Sequence, residues 1–230
     1  MANPSKITEG GVVYSLGDFD GKRVEYDFSK VLAYLDAKGK MLFGRNFRLY
    51  PEDRGVLLKL CNYMVRDRES CRRLGIDPDK GILLSGPVGC GKTTLMKLIR
   101  HLTPHYRPYE VIPVRNIVFG FNHIGYRVIE NYGNGGYFCF DDIGVEPMGR
   151  YFGRDCNVIG EILLSRHELF LGSGLRTHGT TNLNAEELEG RYGKRVRSRM
   201  RELFNLIAFD KGARDKRGIA NSTENKRSKN

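Results

Sequence analysis

The chain has 230 residues, 40% of them apolar and 28% charged, and a formal net charge of +11, which suits one α/β domain with an N-terminal extension. No apolar run approaches the roughly 20 residues needed to cross a bilayer, and the N-terminus lacks the charged-then-apolar pattern of a secretory signal. Five cysteines without a CxxC pair disfavour a disulfide framework or a zinc site. We therefore expect a cytoplasmic protein with reduced thiols and no membrane partner.

The positive charge is concentrated at the C-terminal end of the sequence. Residues 191–230 contain 13 Lys or Arg against 4 Asp or Glu, a net of +9, whereas residues 1–190 contain 25 against 23, a net of +2. Such a basic end is what a nucleic-acid partner requires. Residues 218–230 are predicted to form a basic disordered tail. Residues 191–201 have helical periodicity and are the better candidate for a function.

The first 50 residues are predicted to form a short, mainly helical N-terminal extension. Residues 1–27 are expected to be irregular or short-stranded, because glycines recur there. The apolar spacing that follows predicts a helix over residues 29–37, capped by Ser29. Pro51 then opens a second helical pattern, and we place the start of the main domain at this proline.

From residue 80 onward, strand-like and helix-like patterns alternate. The strands are expected within residues 81–85, 110–115, 136–140, 175–182 and 203–209. The helices are expected within residues 92–102, 116–132, 154–170, 184–193 and 191–203. Asn184 and Glu187 have the spacing of a capping box at the start of one of them. The alternation predicts an α/β domain over residues 51–217, in which a mostly parallel sheet is covered by helices on both faces.

The segment GPVGCGKT, residues 86–93, fits the pattern G-x-x-x-x-G-K-[ST] and lies between a predicted strand and a predicted helix, as this motif requires. Its glycines let successive backbone N–H groups turn toward phosphate oxygens, and the helix N-terminus adds positive potential. The Lys92 ammonium can reach the β- and γ-phosphates, and the Thr93 hydroxyl can ligate Mg²⁺. We therefore predict a nucleotide site formed by Gly86, Pro87, Val88, Gly89, Cys90, Gly91, Lys92, Thr93 and Thr94.

Two adjacent carboxylates follow an apolar strand in the segment YFCFDDIGVEP, residues 137–147. Asp141 is expected to hold Mg²⁺ together with Thr93, and Asp142 is expected to orient and deprotonate an attacking water. Glu146 is the next candidate for the base. Asn182, at the end of the following strand, is expected to face the γ-phosphate or the attacking water.

Four arginines surround an apolar stripe in the last predicted helix, RYGKRVRSRMREL, residues 191–203. Helical spacing places Val196, Met200 and Leu203 on one face, with Arg195 and Arg199 on one flank and Arg197 and Arg201 on the other. These arginines are expected either to contact DNA phosphates or to reach a nucleotide in a neighbouring subunit.

Taken together, the segments GPVGCGKTTL, FDDIGVEP, TTNLNAEELEGRYGKRVRSRM and FDKGARDKR resemble the DnaC/IstB-like branch of the AAA+ ATPases over about residues 80–217. The resemblance implies a P-loop NTPase core of the AAA+/ASCE type with sheet order 5-1-4-3-2. It also implies ATP and Mg²⁺ as cofactors, ATP-dependent homo-oligomers, single-stranded DNA binding, and a replicative helicase or transposase as partner. By the same resemblance, Asn182 is the first sensor, Arg199 the arginine finger and Arg214 the second sensor. Many members have Glu in place of Asp142.

Three other functions remain open on the sequence alone. A P-loop GTPase is one, because residues 141–144 also satisfy D-x-x-G, although the sequence lacks the N-K-x-D motif that reads guanine. A small-molecule kinase is the second, and a non-hydrolysing adaptor switched by ATP is the third. Within the resemblance, helicase loading onto single-stranded DNA and an IstB-like role in transposition are the two alternatives.

Overall fold

The computed structural model describes residues 3–217, so the predicted tail at 218–230 lies outside the described residues. The chain begins with two small antiparallel pairs, β1 (Lys6–Glu9) with β2 (Val12–Ser15) and β3 (Gly17–Phe19) with β4 (Val24–Tyr26). Helix α1 (Phe28–Phe43) follows. The extension thus contains the predicted helix, preceded by four short strands.

The cap of α1 differs from the prediction. The side chain of Asp27 accepts hydrogen bonds from the backbone N–H groups of Ser29 and Lys30, so Asp27 is the N-cap and Ser29 lies inside the helix. The prediction of a Ser29 cap was wrong because an aspartate two residues earlier satisfies the free N–H groups equally well.

The predicted helical pattern after Pro51 is a 3-10 turn followed by α2 (Arg54–Met64) and α3 (Arg68–Arg73). The chain breaks between these helices at Arg66, whose φ is 58°, and Asp67 caps α3 by accepting from the backbone of Ser70. A single long periodicity therefore conceals two separate helices.

Five parallel strands form the central sheet in the order β11-β5-β10-β7-β6. The strands are β5 (Gly81–Ser85), β6 (Glu110–Pro113), β7 (Phe138–Asp141), β10 (His178–Thr181) and β11 (Phe204–Ala208), and a separate hairpin is formed by β8 (Gly149–Tyr151) and β9 (Arg154–Cys156). Numbered along the chain, the order of the five is 5-1-4-3-2. The predicted parallel sheet and its order are confirmed.

The connecting helices are α4 (Lys92–Ile99), α5 (Val114–Ile124), α6 (Arg127–Gly133), α7 (Val158–Ser173) and α8 (Ala185–Leu203). The predicted helix 116–132 is two helices, because the chain turns at Gly125 with a φ of 64°. The predicted capping box of Asn184 and Glu187 at the start of α8 is confirmed. None of the helices in the described part of the chain is long and apolar enough to span a membrane.

Two apolar clusters cover the two faces of the sheet. Leu83, Phe140 and Ile143 pack with α5, α7 and α8, whereas Ile82 and Leu84 pack with α2 and α4. Alternate residues of β5 therefore point to opposite faces, as a strand buried on both sides requires. A third cluster joins α1 and the first strands to Cys61 of α2 and Leu98 of α4, so the extension packs directly on the core.

Candidate functional site

The loop after β5 has the shape of an anion-binding loop. Gly89 and Gly91 adopt φ values of 80° and 103°, which non-glycine residues rarely reach. Gly91 is the N-cap of α4, so the helix begins at Lys92 with its free N–H groups next to the loop. A loop and helix start of this kind bind phosphate through backbone N–H groups and the helix dipole.

Lys92 is held inside this loop. Its side chain is buried, with the residue only 6% exposed, and Nζ donates to the carbonyl oxygens of Gly86 and Pro87 at 2.8 Å each. Burial of an ammonium is costly unless it is paired or hydrogen-bonded. The backbone oxygens offset part of that cost and orient the charge beside the loop.

Thr93 and Asp141, the two predicted magnesium ligands, are in direct contact. The Thr93 hydroxyl donates to Asp141 Oδ1 at 2.8 Å. A hydroxyl and a carboxylate so placed fit a shared Mg²⁺, which prefers oxygen ligands and usually keeps several waters. The described residues contain no group of three or more His, Cys, Asp or Glu side chains that could hold a metal ion, so a cation here would also need phosphate or water oxygens.

Thr180 of β10, which the sequence did not single out, completes this polar cluster. Its hydroxyl donates to Asp141 Oδ1 at 2.7 Å and accepts from the backbone N–H of Asp142 at 2.9 Å. Pairing of β10 with β7 brings these groups together. The threonine therefore fixes the orientation of both aspartates, and only the strand order could have revealed it.

Asp142 and Glu146, the two candidate bases, have very different surroundings. Asp142 is exposed at the cavity beside Lys92, and partial desolvation of its carboxyl group together with the charge of Asp141 raises its pKa. Glu146 is 4% exposed and accepts hydrogen bonds from the Tyr192 hydroxyl at 2.7 Å and the Gly144 N–H at 2.9 Å. The geometry therefore favours Asp142 as the group that faces a bound water.

A cavity of about 820 Å³ opens beside the loop. Lys92, Thr93, Asp142 and Asn182 line its polar end, and the buried Asn182 Oδ1 has no hydrogen-bond partner among the described residues. Buried polar atoms are rarely left unsatisfied without a bound partner or a functional reason. The cavity thus brings Lys92, Thr93, Asp142 and Asn182 together at the carboxyl ends of β5, β7 and β10, and Asp141 adjoins it through its hydrogen bond with Thr93.

Comparisons with known proteins agree with the fold described above. No protein-family model matches the chain. The chain is 58% identical over 37 residues to the proteasome-activating nucleotidase of Pyrococcus furiosus, a match that spans 16% of this chain and only 9% of that protein. The structure of the DnaC helicase loader superposes with a TM-score of 0.52 at 18% identity, over 70% of this chain and 92% of that chain. A DNA replication initiation factor superposes with a TM-score of 0.50 at 17% identity, over 72% and 48%.

This chain has the AAA+ P-loop NTPase fold. The five-stranded parallel sheet with helices on both faces matches that fold. The similarity to solved structures is below 20% identity, so it concerns the fold, and the roles of individual residues depend on the geometry of this chain.

One wall of the cavity in this AAA+ fold comes from a segment that the sequence analysis had assigned to the extension. Phe43, Phe47, Leu49 and Tyr50 line the cavity, together with Val88 of the loop. The clustering of apolar and aromatic residues in MLFGRNFRLY, just before Pro51, was the available signal. Only the packing of α1 on the core shows that this segment faces the nucleotide loop.

The C-terminal segment also contributes to the lining of the cavity. The Lys216 N–H donates to Gly89 O at 3.0 Å, and its ammonium donates to Asp53 Oδ1 and Cys90 O at 2.7 Å each. Lys216 and Arg217 both line the cavity. The structure therefore brings these two cations to the glycine loop after β5, although the sequence analysis named neither.

Arg214, the predicted second sensor, lies outside this cavity. Its guanidinium pairs with Glu52 at 2.8 Å and lies over the ring of Tyr50, with 5.2 Å to the centroid. It thus contacts Tyr50, which lines the cavity, and Glu52, which does not line it. The structure does not place Arg214 with the predicted phosphate ligands.

The arginines of α8 are arranged as predicted around a buried stripe. Val196, Met200 and Leu203 are buried, which confirms the apolar face. The helix is interrupted at Gly193, with φ 81° and ψ 164°, so residues 194–203 form a separate segment that carries the arginines. Arg195 and Arg201 are exposed, whereas Arg197 is partly buried, and burial together with nearby Arg201 lowers its pKa.

Arg199, the predicted arginine finger, does not line the cavity of its own chain. It donates to Glu202 Oε1 at 3.0 Å, and the other oxygen of Glu202 contacts His167 at 2.9 Å. Its side chain is 40% exposed. The residue is thus on the surface of the AAA+ core, where it is accessible to a second molecule.

Proposed function

We propose that this chain binds ATP with Mg²⁺ and hydrolyses it. The observation that carries the proposal is the hydrogen-bonded line from Thr93 through Asp141 and Thr180 to the Asp142 backbone, at the polar end of the cavity that holds Lys92. A strand-end carboxylate beside a loop threonine is the arrangement that P-loop NTPases use for a metal-bound triphosphate. A second acidic group beside it can accept a proton.

Each group in the site has a distinct role in this proposal. The loop N–H groups and Lys92 bind the phosphates, and Thr93 and Asp141 hold Mg²⁺, which when bound offsets negative charge on the phosphate oxygens. Asp142 orients the attacking water and accepts its proton. Asn182, with its unpartnered oxygen, positions the same water or the γ-phosphate.

The apolar wall gives the nucleobase a place in the site. Phe47, Leu49 and Tyr50 offer aromatic and aliphatic surface to this cavity. Ligand sites combine apolar surface with placed polar groups, and this cavity has both kinds of lining residue. We assign the base to this wall, with adenine favoured because the sequence has no N-K-x-D guanine-reading motif.

We further propose that the ATPase acts on single-stranded DNA in replication, with a replicative helicase as its partner. The support is the superposition on 92% of the DnaC helicase loader and the arginine-bearing segment of α8. Arg195 and Arg201 are exposed on this segment, and their charges match a phosphate backbone. In this proposal the chain assembles with itself when ATP is bound, and Arg199 serves a neighbouring site.

Lys92→Ala should abolish tight Mg·ATP binding while the fold is retained. The change removes the loop ammonium, whose charge-assisted contacts to phosphate oxygens are stronger than neutral hydrogen bonds. We expect at least a tenfold loss of ATP affinity by calorimetry. Lys97→Ala is the matched control, because Lys97 lies on the same helix but is exposed and outside the cavity. Equal affinities for the two variants would contradict the assignment of the phosphate site.

Exchanging Arg195 and Arg201 for Gln should weaken binding of oligo(dT) and lower its salt dependence. Each lost phosphate contact reduces the slope of log affinity against log salt by about 0.7, so two contacts reduce it by about 1.4. Deleting residues 219–230 is the charge-matched control, because it also removes a net charge of +2, from three basic residues and one acidic residue. If the deletion alone abolishes binding, the tail is the DNA contact and α8 is not.

A further inference from the structure

A second cavity lies at the opposite end of the sheet from the nucleotide loop. It has a volume of about 160 Å³ and reaches the amino ends of three strands. Tyr109 directly precedes β6, Tyr137 directly precedes β7, and His178 is the first residue of β10. The other lining residues are Tyr63, Met64, Arg66, Arg100, Thr103, Tyr106, Arg107, Pro108 and Arg176. The proposed ATPase has no use for this cavity.

The lining is strongly cationic. Arg66, Arg100, Arg107 and Arg176 all contribute to it, and none of its twelve described residues is acidic. Within residues 3–217, no carboxylate lies within 4 Å of these four guanidinium groups. Four arginines without local counter-charge repel one another, so an anion bound among them would relieve that repulsion.

Three of the arginines are held by tyrosine rings. Arg66 lies 4.8 Å from the centroid of Tyr106, Arg107 lies 5.2 Å from that of Tyr137, and Arg176 lies 5.8 Å from that of Tyr63. Stacking on an aromatic ring orients a guanidinium plane while its N–H groups can still donate, and Arg176 uses one of them to donate to Pro78 O at 3.1 Å. The charges are therefore pre-oriented around the cavity, which lowers the entropic cost of binding.

Two buried polar atoms at the cavity have no partner. The Thr103 hydroxyl belongs to a residue that is 2% exposed, and both Thr103 Oγ1 and Arg100 Nε lack a hydrogen bond among the described residues. A buried donor without a partner costs about 1–3 kcal/mol. Thr103 and Arg100 both line this cavity, so its surroundings hold more donors than the described acceptors satisfy.

We propose that this cavity binds a phosphate group. A phosphate offers several acceptor oxygens to guanidinium groups and to a hydroxyl donor, as this lining requires. The volume is close to that of a cavity of roughly 150 Å³ that holds one small ring, so it suits one phosphate group rather than a whole triphosphate nucleotide. The phosphate belongs either to a single-stranded nucleic acid or to a free small molecule. This inference does not depend on ATP hydrolysis.

The test compares two doubly substituted chains in the Lys92→Ala background, which disables the nucleotide loop. Arg66→Gln with Arg107→Gln removes two exposed arginines of the cavity, and Lys22→Gln with Arg23→Gln removes the same charge from an exposed turn elsewhere. The probes are inorganic phosphate, titrated by calorimetry, and labelled oligo(dT), titrated by anisotropy at several salt concentrations. Thermal unfolding of each variant verifies that the fold is intact.

We expect the cavity variant to lose phosphate affinity at least tenfold relative to the control variant. A matching loss for oligo(dT), with a salt slope lower by about 1.4, would identify a nucleic-acid strand as the source of the phosphate. A loss of affinity for inorganic phosphate but not for oligo(dT) would identify a free phosphate-bearing molecule as the ligand. Equal affinities of the cavity and control variants for both probes would overturn the proposal.

Discussion

Asp142→Asn should lower ATP turnover by roughly 10² or more while ATP still binds, because it removes the general base and leaves the shape of the side chain almost unchanged. The backbone tolerates this change. Asp142 adopts a φ of 62°, and asparagine is one of the few residues that occupy this left-handed region readily. Its N–H can still donate to Thr180. Steady-state hydrolysis and calorimetric ATP binding, measured on the same preparation, provide the two readouts.

Glu146→Gln is the informative control for this prediction. Glu146 accepts hydrogen bonds from Tyr192 and Gly144 and pairs with Arg191 at 3.5 Å, so its loss should lower the melting temperature. Turnover per folded molecule should stay within a few-fold of the unsubstituted chain. If instead Glu146→Gln abolishes hydrolysis without destabilising the protein, and Asp142→Asn does not, the base is Glu146.

The ionisation of Asp142 also predicts how turnover depends on pH. Partial desolvation and the neighbouring charge of Asp141 raise its pKa above the usual 3.8. A base must be deprotonated to act, so turnover of the unsubstituted chain should fall as the pH drops through this raised pKa. The acid limb therefore lies at a higher pH than an ordinary aspartate would give.

The parallel sheet and the glycine loop after β5 could be predicted because both leave a local signal in the sequence. The loop has a glycine pattern with a backbone requirement, and Gly89 and Gly91 take up the positive φ values that it demands. The alternation of short apolar strands with helices indicates a parallel sheet, since parallel strands need crossover connections. The order of the strands came from the resemblance to AAA+ proteins, and the pairings agree with it.

Helix breaks were less predictable than helices. Gly125 interrupts one continuous apolar pattern, and residues 154–156 begin as a strand because they pair with residues 149–151. Periodicity alone does not record such pairings, since a three-residue strand is too short to establish a period of two. Asp27 likewise caps α1 although Ser29 has an equally suitable side chain.

The parts of the site that were missed all depend on contacts between distant segments. Thr180 reaches Asp141 only because β10 lies beside β7, and Phe47 and Tyr50 reach the loop only because α1 packs on α4. Near the C-terminus, Arg214 was the cation expected to contact the nucleotide. Lys216 instead lies beside the loop, where its backbone N–H donates to the Gly89 carbonyl. A shift of two residues in an irregular segment changes which side chain faces the cavity.

Arg199→Ala should abolish hydrolysis while ATP affinity of the isolated subunit stays nearly intact. Arg199 does not line its own cavity and pairs with Glu202 on the surface. An exposed ion pair of this kind contributes about 0–1 kcal/mol, so the arginine can leave Glu202 at little cost. An arginine that contacts the γ-phosphate bound to a neighbouring subunit raises the rate of hydrolysis by roughly 10³ or more. Arg195→Ala is the control on the same flank and should retain turnover.

Mixing two inactive variants tests whether Arg199 acts in trans. A subunit with Lys92→Ala cannot bind ATP tightly but still presents Arg199, and a subunit with Arg199→Ala still binds ATP. A working site forms wherever the first lies beside the second, so mixtures should recover part of the turnover, with a maximum at intermediate ratios. Sedimentation in the presence of Mg·ATP establishes whether the variants co-assemble. If they do and no ratio restores hydrolysis, Arg199 is not the residue supplied by the neighbour, and Arg195 becomes the candidate.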